Sequence, residues 1–262
     1  MESHGVIEVP YTALGVGVGL LVGITGVGGG SLMTPLLVLL FGIHPVTAVG
    51  TDLLFAAATK SVGTLVNGLN HAVDWRMTGL LAAGSLPATA ITLLIVSNLG
   101  HGDAIADVII RYVLVAALML TAVSLLAYKR ISLLTRARSE DTARQHTVTL
   151  TIVSGVVLGV LVTLTSIGAG ALGIVALLYL YPRTPITRLI GSDIAHAVPL
   201  TLLAGFGHWI MGSVNLHLLG SLLAGSIPGI VVGSYAAPRV PERAIRTVLA
   251  ITLLVVAAKM AL

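Results

Sequence analysis

Long apolar stretches separated by short polar breaks run along the whole chain. Eight hydrophobic segments are recognisable, at 11–41, 46–70, 77–98, 109–128, 148–181, 186–211, 217–237 and 244–262. Six of them have close to the roughly 20 residues that an α-helix needs to cross a bilayer. The first and the fifth exceed 30 residues, and each contains a glycine-rich stretch near its middle. This pattern predicts an all-α polytopic membrane protein with two broken helices.

The composition supports this interpretation and narrows the chemistry. Hydrophobic residues make up 56% of the 262 residues and charged residues only 9%, whereas about a quarter of the residues of a soluble domain are charged. A core of this size could not hide so much apolar surface from water, so the solvent must be lipid. Cysteine is absent, which excludes disulfides, thiolate metal sites and cysteine nucleophiles.

The two halves of the chain resemble each other, which indicates an internal duplication. At an offset of 140 residues, the stretch 19–30 aligns with 159–170; one insertion later, at an offset of 141, Gly50-Thr51-Asp52 aligns with Gly191-Ser192-Asp193. We call residues aligned in this way repeat counterparts. The prediction is an N-terminal membrane repeat at 1–128, a polar cytoplasmic linker at 129–147 and a C-terminal membrane repeat at 148–262. Internal repeats are typical of transporters.

Positive charges decide between two topologies. If all eight segments crossed once, Lys and Arg would be divided almost evenly between the two sides. If 11–41 and 148–181 are re-entrant hairpins, the other side keeps only Arg111 and Lys259, and the linker side holds Arg76, Lys129, Arg130, Arg136, Arg138, Arg144, Arg183, Arg188, Arg239, Arg243 and Arg246. The positive-inside rule favours the hairpins. We therefore expect an inverted repeat with both termini outside.

The glycine-rich breaks are the strongest candidates for a binding site. A helix that is broken inside lipid leaves backbone groups unpaired, which is tolerated only next to protein or a polar cavity. Half-helices that begin near Ser31 and Ala171 would direct their positive N-terminal ends inward, towards an anion. Close helix packing is the alternative for a single such motif. A nucleotide-binding loop is rejected, because neither break completes G-x-G-x-x-G and no P-loop motif occurs. The candidate substrate-binding residues are Thr25, Gly28, Gly29, Gly30, Ser31, Thr51, Lys60, Thr165, Ser166, Gly168, Gly170 and Ser192.

Asp52 and Asp193 lie near the starts of the second and sixth segments. Ionisable residues at membrane depth are costly and usually face the protein interior. The two carboxylates could exchange a proton with the coupling ion or hold a half-helix in register. Capping of their own helices is an equally good explanation, because Asp accepts hydrogen bonds from backbone N–H groups.

Lys60 distinguishes the two halves, because its repeat counterpart is Thr201. It lies in the middle of the second segment, too far from either end for its ammonium to reach the membrane surface easily. It should pair with one of the aspartates or offer its charge to an anion. His196 and His208 are possible proton carriers for ion coupling, although buried histidines are more often neutral. No metal site is expected from the spacing of these residues.

With these motifs in view, the chain resembles the TauE/SafE family of sulfite and sulfonate exporters. The resemblance depends on the stretch Gly23-Ile-Thr-Gly-Val-Gly-Gly-Gly-Ser-Leu-Met-Thr-Pro35, on Gly50-Thr51-Asp52 and on their second-half copies, and it covers essentially the whole chain. It implies a multi-pass carrier in a bacterial or archaeal plasma membrane, coupled to an ion gradient. The substrate would be a small sulfur-containing anion of the sulfite, sulfoacetate or thiosulfate class. The second half departs from the pattern, since it has Gly168-Ala-Gly170 and no match for Pro35.

The sequence thus predicts a secondary transporter of a small anion, without cofactors and without nucleic-acid partners, surrounded by lipid. A passive anion channel remains the alternative, because the same broken helices could build one. An enzyme is not expected, since no nucleophile–base pair or metal cluster lies on adjacent helical turns.

Overall fold

The computed structural model of this chain describes residues 8–25, 30–98, 104–136, 146–236 and 242–261. This part of the chain forms ten α-helices and no strand, which confirms the predicted all-helical class. The helices are α1 (Val9–Thr25), α2 (Gly30–Phe41), α3 (Pro45–Leu69), α4 (Trp75–Asn98), α5 (Ala104–Arg136), α6 (Thr147–Thr165), α7 (Ala171–Leu180), α8 (Ile186–Ile210), α9 (Leu216–Ala236) and α10 (Glu242–Ala261).

The two over-long segments are each divided into two helices. The first becomes α1 and α2, and the fifth becomes α6 and α7; each of the other six segments contains one helix. Helix α5 continues to Arg136, so the start of the polar stretch 129–147 is helical. Residues 137–145 of that stretch lie outside the described part.

Within the described residues, five helical spans are long and apolar enough to cross a membrane: Trp75–Asn98, Arg111–Tyr128, Thr147–Thr165, Ile186–Ile210 and Leu216–Gly233. Large apolar side chains such as Leu94 and Val232 are exposed, while many threonines and serines are buried. This distribution suits lipid, because the surrounding hydrocarbon accepts the apolar side chains and helix interfaces satisfy the hydroxyls. The protein is a multi-pass membrane protein.

Helix α1 packs against α9, and α6 packs against α4. A Cβ atom added at Gly15 would meet the Leu222 carbonyl oxygen, and one added at Gly19 would meet that of Ser226. Residue numbers rise together along the two helices, so α1 and α9 are parallel. Gly155 and Gly159 bring α6 equally close to Leu81 and Ser85 of α4, again in parallel. Glycine lets the helix backbones touch in both pairs.

Helices α3 and α8, which are repeat counterparts, pack against each other at the centre of the fold. Gly50 at the start of α3 faces His208 near the end of α8, whereas Gly63 faces Ile194. Residue numbers therefore rise along one helix as they fall along the other. The two helices are antiparallel.

Candidate functional site

The second break, between α6 and α7, is built from residues with unusual backbone angles. Ser166 has φ 58°, Gly168 has φ 122° and Gly170 has φ 123°. The left-handed region is open to glycine and disfavoured for other residues, which explains why two glycines stand here. Ser166 ends α6, and its N–H donates to the Val162 carbonyl.

Most polar groups of this break are satisfied within the break itself. The Thr165 hydroxyl accepts a hydrogen bond from the N–H of Ile167 at 3.1 Å. The N–H groups of Leu172 and Gly173 both donate to the Gly168 carbonyl. The Ser166 hydroxyl is buried, makes no hydrogen bond of standard geometry among the described residues and lies close to the Asp52 carboxylate. It can donate to that carboxylate or to a ligand.

Lys60 reaches this break from the other half of the protein. Its ammonium donates a 2.9 Å hydrogen bond to the Ala169 carbonyl, and only 4% of the residue is exposed. It also interacts electrostatically with Asp193 and, more weakly, with Asp52. Thr201, its repeat counterpart, bonds only to carbonyls of its own helix α8. A buried positive charge thus meets an unwound backbone in the second half.

Asp52 holds the beginning of α2. One carboxylate oxygen accepts hydrogen bonds from the Thr34 N–H at 3.2 Å and from its hydroxyl at 2.6 Å. Asp52 lies two turns inside α3, which begins at Pro45, so the alternative of a cap on its own helix is wrong. The carboxylate is fully buried and links α2 to α3.

Asp193 occupies the equivalent place in the second half but is bound differently. Its carboxylate lies against the backbone of Gly173, where an added Cβ atom would collide with one carboxylate oxygen. The residue is fully buried, and among the described residues neither oxygen has a partner at standard hydrogen-bond geometry; the Gly170 N–H is the backbone donor near it. Lys60 acts on the carboxylate electrostatically. Asp193 also lies two turns inside its helix, so it does not cap α8.

The first break is only partly described. Thr25 is the last residue of α1, and Gly30 and Ser31 begin α2. Gly28 and Gly29 lie outside the described residues. Binding of substrate by this group stays a prediction.

Thr51 and Ser192 connect the two halves. The Thr51 hydroxyl accepts a hydrogen bond from the Asn215 N–H at 3.1 Å, and the Ser192 hydroxyl accepts one from the Asp74 N–H at 2.8 Å. Asp74 and Asn215 are themselves repeat counterparts and cap α4 and α9 through their side chains. These bonds give both hydroxyls a structural role, and substrate binding by them stays a prediction.

The two candidate proton carriers are buried on α8. His196 shares a 2.8 Å hydrogen bond with the Ser85 hydroxyl through Nε2, and its Nδ1 has no partner among the described residues. His208 donates from Nε2 to the Thr163 carbonyl at 3.0 Å. His196 therefore faces α4, and His208 faces α6, the helix that ends at the second break. Proton transfer by them stays a prediction.

Sequence reasoning missed three groups at this site: the Thr34 hydroxyl, the Ala169 carbonyl and the close approach at Gly173. Only Gly173 had a visible signal, because the aligned residue of the first half is Met33. Within the described residues, no three of His, Asp and Glu come together in a way that could hold a metal ion.

Together these groups offer complementary chemistry in one buried place. The Lys60 ammonium and the Ser166 hydroxyl can donate hydrogen bonds, and the N-terminal end of α7 adds a partial positive charge. The Asp193 carboxylate lies beside them and can carry a proton. This combination suits a small oxyanion.

Comparison with known sequences identifies the family. The profile described as Sulfite exporter TauE/SafE matches residues 11–260. The chain belongs to the TauE/SafE family. A Bacillus subtilis (strain 168) relative named "Probable membrane transporter protein YjnA" is 36% identical over 249 residues, which is 95% of this chain and 97% of the relative. Another from the same organism, "Probable membrane transporter protein YdhB", is 26% identical over 238 residues, covering 89% and 92%.

No solved structure matches the TauE/SafE chain. The resemblance inferred from the glycine-rich motifs is confirmed by the family match, and the protein is a membrane transporter of this family. Both relatives are named as transporters rather than enzymes.

Proposed function

We propose that this protein is a secondary transporter that moves a small anion, a sulfur oxyanion or organosulfonate of the sulfite, sulfoacetate or thiosulfate class, across a bacterial or archaeal plasma membrane. The observation that carries the proposal is the Lys60 ammonium bound to the Ala169 carbonyl of the broken helix. An ion gradient drives the transport. The description of the matching family, Sulfite exporter, agrees with this substrate class.

The charge requirement supports Lys60 as the anion's partner. A doubly charged anion at membrane depth needs more compensation than one half-helix, which supplies only about half a charge. Lys60 is buried and has ammonium hydrogens beyond the one that it gives to Ala169. An anion that binds beside Ser166 would take these hydrogens.

We further propose that the two halves form an inverted repeat with re-entrant hairpins. Antiparallel packing of the counterparts α3 and α8 supports opposite orientations of the halves. Three residues connect α2 to α3, and the Thr34–Asp52 contact brings the start of α2 beside α3, so these helices run antiparallel. α1 is parallel to α9, which in turn follows α8 after a short turn. These directions together make α1 and α2 a hairpin.

The same reasoning makes α6 and α7 a hairpin, since α6 is parallel to α4 and α7 returns beside α8. Lys and Arg then concentrate on the side of the stretch 129–147, and Arg111 and Lys259 remain on the other. By the positive-inside rule that stretch is cytoplasmic and both termini are outside.

Transport by purified protein in liposomes tests the function. We expect sulfite, thiosulfate or sulfoacetate to accumulate inside above its outside concentration when a pH gradient is imposed, with saturable kinetics. Chloride serves as the control anion. The alternative, a passive channel, predicts equilibration without accumulation and no saturation; that result would exclude a coupled carrier.

The absence of cysteine makes the topology easy to test. Single cysteines placed at Arg183 and at His217 can be labelled in intact cells with a membrane-impermeant maleimide. We expect labelling at position 217, and at position 183 only after the cells are opened. The opposite pattern, or labelling of both in intact cells, would contradict the inverted arrangement.

A further inference from the structure

We propose that Asp193 takes up one proton each time an anion binds, whereas Asp52 serves as a structural contact of α2. The inference deepens the proposed function and rests on it. It assigns the coupling step to one of two aspartates that the repeat makes equivalent in sequence.

Hydrogen bonding separates the two carboxylates. Asp52 uses one oxygen for two hydrogen bonds to Thr34, and these bonds favour its charged, accepting form. Asp193 is fully buried, and in the described structure neither of its oxygens has a partner at standard hydrogen-bond geometry; the Gly170 N–H is its nearby backbone donor. The Lys60 ammonium donates to the Ala169 carbonyl instead of to this carboxylate. A buried carboxylate with so few donors is poorly stabilised as an anion.

Charge balance explains why a proton should accompany the anion. In the empty site, the positive charge of Lys60 compensates the negative charge of Asp193. An arriving anion takes over Lys60, and the carboxylate next to it would then repel it at close range in a low dielectric. When Asp193 binds a proton, one O–H bond forms, and that O–H can donate to the anion. A singly charged anion and its proton together leave the charge of the site unchanged.

The other titratable groups around Asp193 are few. From α3, Lys60 acts on Asp193, and Asp52 acts on the same lysine. On its own helix His196 lies one turn further along, with Nε2 engaged by Ser85. Just before α4, the Asp74 carboxylate is occupied in capping that helix.

The two other helices next to α8 contribute few titratable groups. Helix α6 contains no charged residue or histidine. Helix α7 contributes only Tyr179, which is 48% exposed. Asp193 is thus the carboxylate at the break that is free to gain a proton when the charge of Lys60 is taken by an anion.

Proton uptake on binding tests the inference directly. Purified protein in weak buffer is mixed with thiosulfate, sulfoacetate or sulfite, and a pH-indicator dye follows the proton; for sulfite, its own protonation is subtracted. We expect about one proton per bound anion and an affinity that falls about tenfold for each unit of rising pH, since one linked proton gives that slope. Asp193→Asn should bind the anion without proton uptake and without pH dependence.

Asp52→Asn is the matched comparison, and proton uptake per bound anion should persist in it. Wild-type binding without proton uptake would overturn the inference and leave anion transport standing. So would loss of binding at every pH in Asp193→Asn that remains monodisperse and thermally stable, because it would mean that the charged carboxylate is needed. If the wild type binds none of the three anions, the proposed function itself fails.

Discussion

The two broken helices occupy equivalent places in the repeat and differ in how they are held. In the first half, Thr34 of α2 binds Asp52 through two hydrogen bonds. In the second half, the counterpart of Thr34 is Ile174, and Asp193 lies against Gly173 with no partner at standard hydrogen-bond geometry among the described residues. The two aligned aspartates therefore differ in their contacts: Asp52 is tied to α2, and Asp193 is the one to which we assign proton uptake.

Where the two halves join, the symmetry has been retained. Thr51 binds the N–H of Asn215 just as Ser192 binds that of Asp74. Such cross-half bonds require matching geometry on both sides, whereas a single anion site requires only one set of donors. The hydrogen bonds between the two halves are therefore symmetric, whereas the contacts at the two breaks are not.

The largest effect is expected from a bulky side chain in the breaks. Gly29→Leu and Gly170→Leu should each abolish transport while the protein stays in the membrane. We expect anion binding to be lost in Gly170→Leu, because Gly170 adopts φ 123°, a conformation that leucine disfavours, beside Asp193. Equilibrium binding to the purified variants distinguishes loss of anion binding from loss of transport alone. Normal flux from either variant would mean that the glycine serves only helix packing.

A smaller but specific effect is expected from Gly173→Ala. The new methyl group would meet the Asp193 carboxylate, and such overpacking costs about 1–3 kcal/mol. The melting temperature should therefore fall, and so should proton uptake on anion binding. Gly79→Ala and Gly220→Ala are the controls, because an added Cβ atom meets nothing within 4 Å at either position. If all three variants had the same melting temperature and the same proton uptake, the close contact between Gly173 and Asp193 would be contradicted.

Thr34→Val tests the contact in the first half. The substitution removes the hydroxyl bond to the buried Asp52 carboxylate but keeps the shape and the backbone bond. Loss of a hydrogen bond to a buried charged group should lower the free energy of unfolding by about 1–3 kcal/mol. Thr34→Ser, which keeps a hydroxyl, should recover most of that stability. If the valine variant is as stable as the wild type, the bond does not hold α2.

The smallest effects should come from substitutions at the symmetric contacts between the two halves. Asp74→Ala and Asn215→Ala each remove a side-chain cap from one helix, at α4 and α9. Loss of such a cap costs about 1 kcal/mol, so the two melting temperatures should drop by similar amounts. A large difference between them would show that the asymmetry extends beyond the breaks.

Much of the fold could be predicted from the sequence, because a helix that crosses lipid needs about 20 consecutive, mostly apolar residues. The eight apolar segments mark the helices, and the glycine-rich centres at 23–30 and 163–170 mark the two breaks. The start of α5 and its extension to Arg136 were missed, since the polar stretch after 128 gave no signal for a helix end.

The candidate site was less predictable. Lys60 stood out as a buried charge, but its partner is the Ala169 carbonyl, and backbone groups leave no trace in residue identity. The bond between Thr34 and Asp52 joins two helices, so sequence spacing could not reveal it. Thr51 and Ser192 were selected for their closeness to the aspartates, yet their hydroxyls face the neighbouring half.

Equilibrium binding of thiosulfate and sulfoacetate to Lys60→Ala tests the central claim most directly, with Thr201→Ala as the matched variant of the other half. Losing one partner of a buried charged contact costs about 2–5 kcal/mol, so the lysine variant should bind at least 30-fold more weakly, to a first approximation, while Thr201→Ala binds nearly as the wild type does. The double variants Lys60→Ala/Asp52→Asn and Lys60→Ala/Asp193→Asn should remain weak. Recovery of binding in either double variant would show that Lys60 only neutralises an aspartate, and it would contradict an anion site built on this lysine.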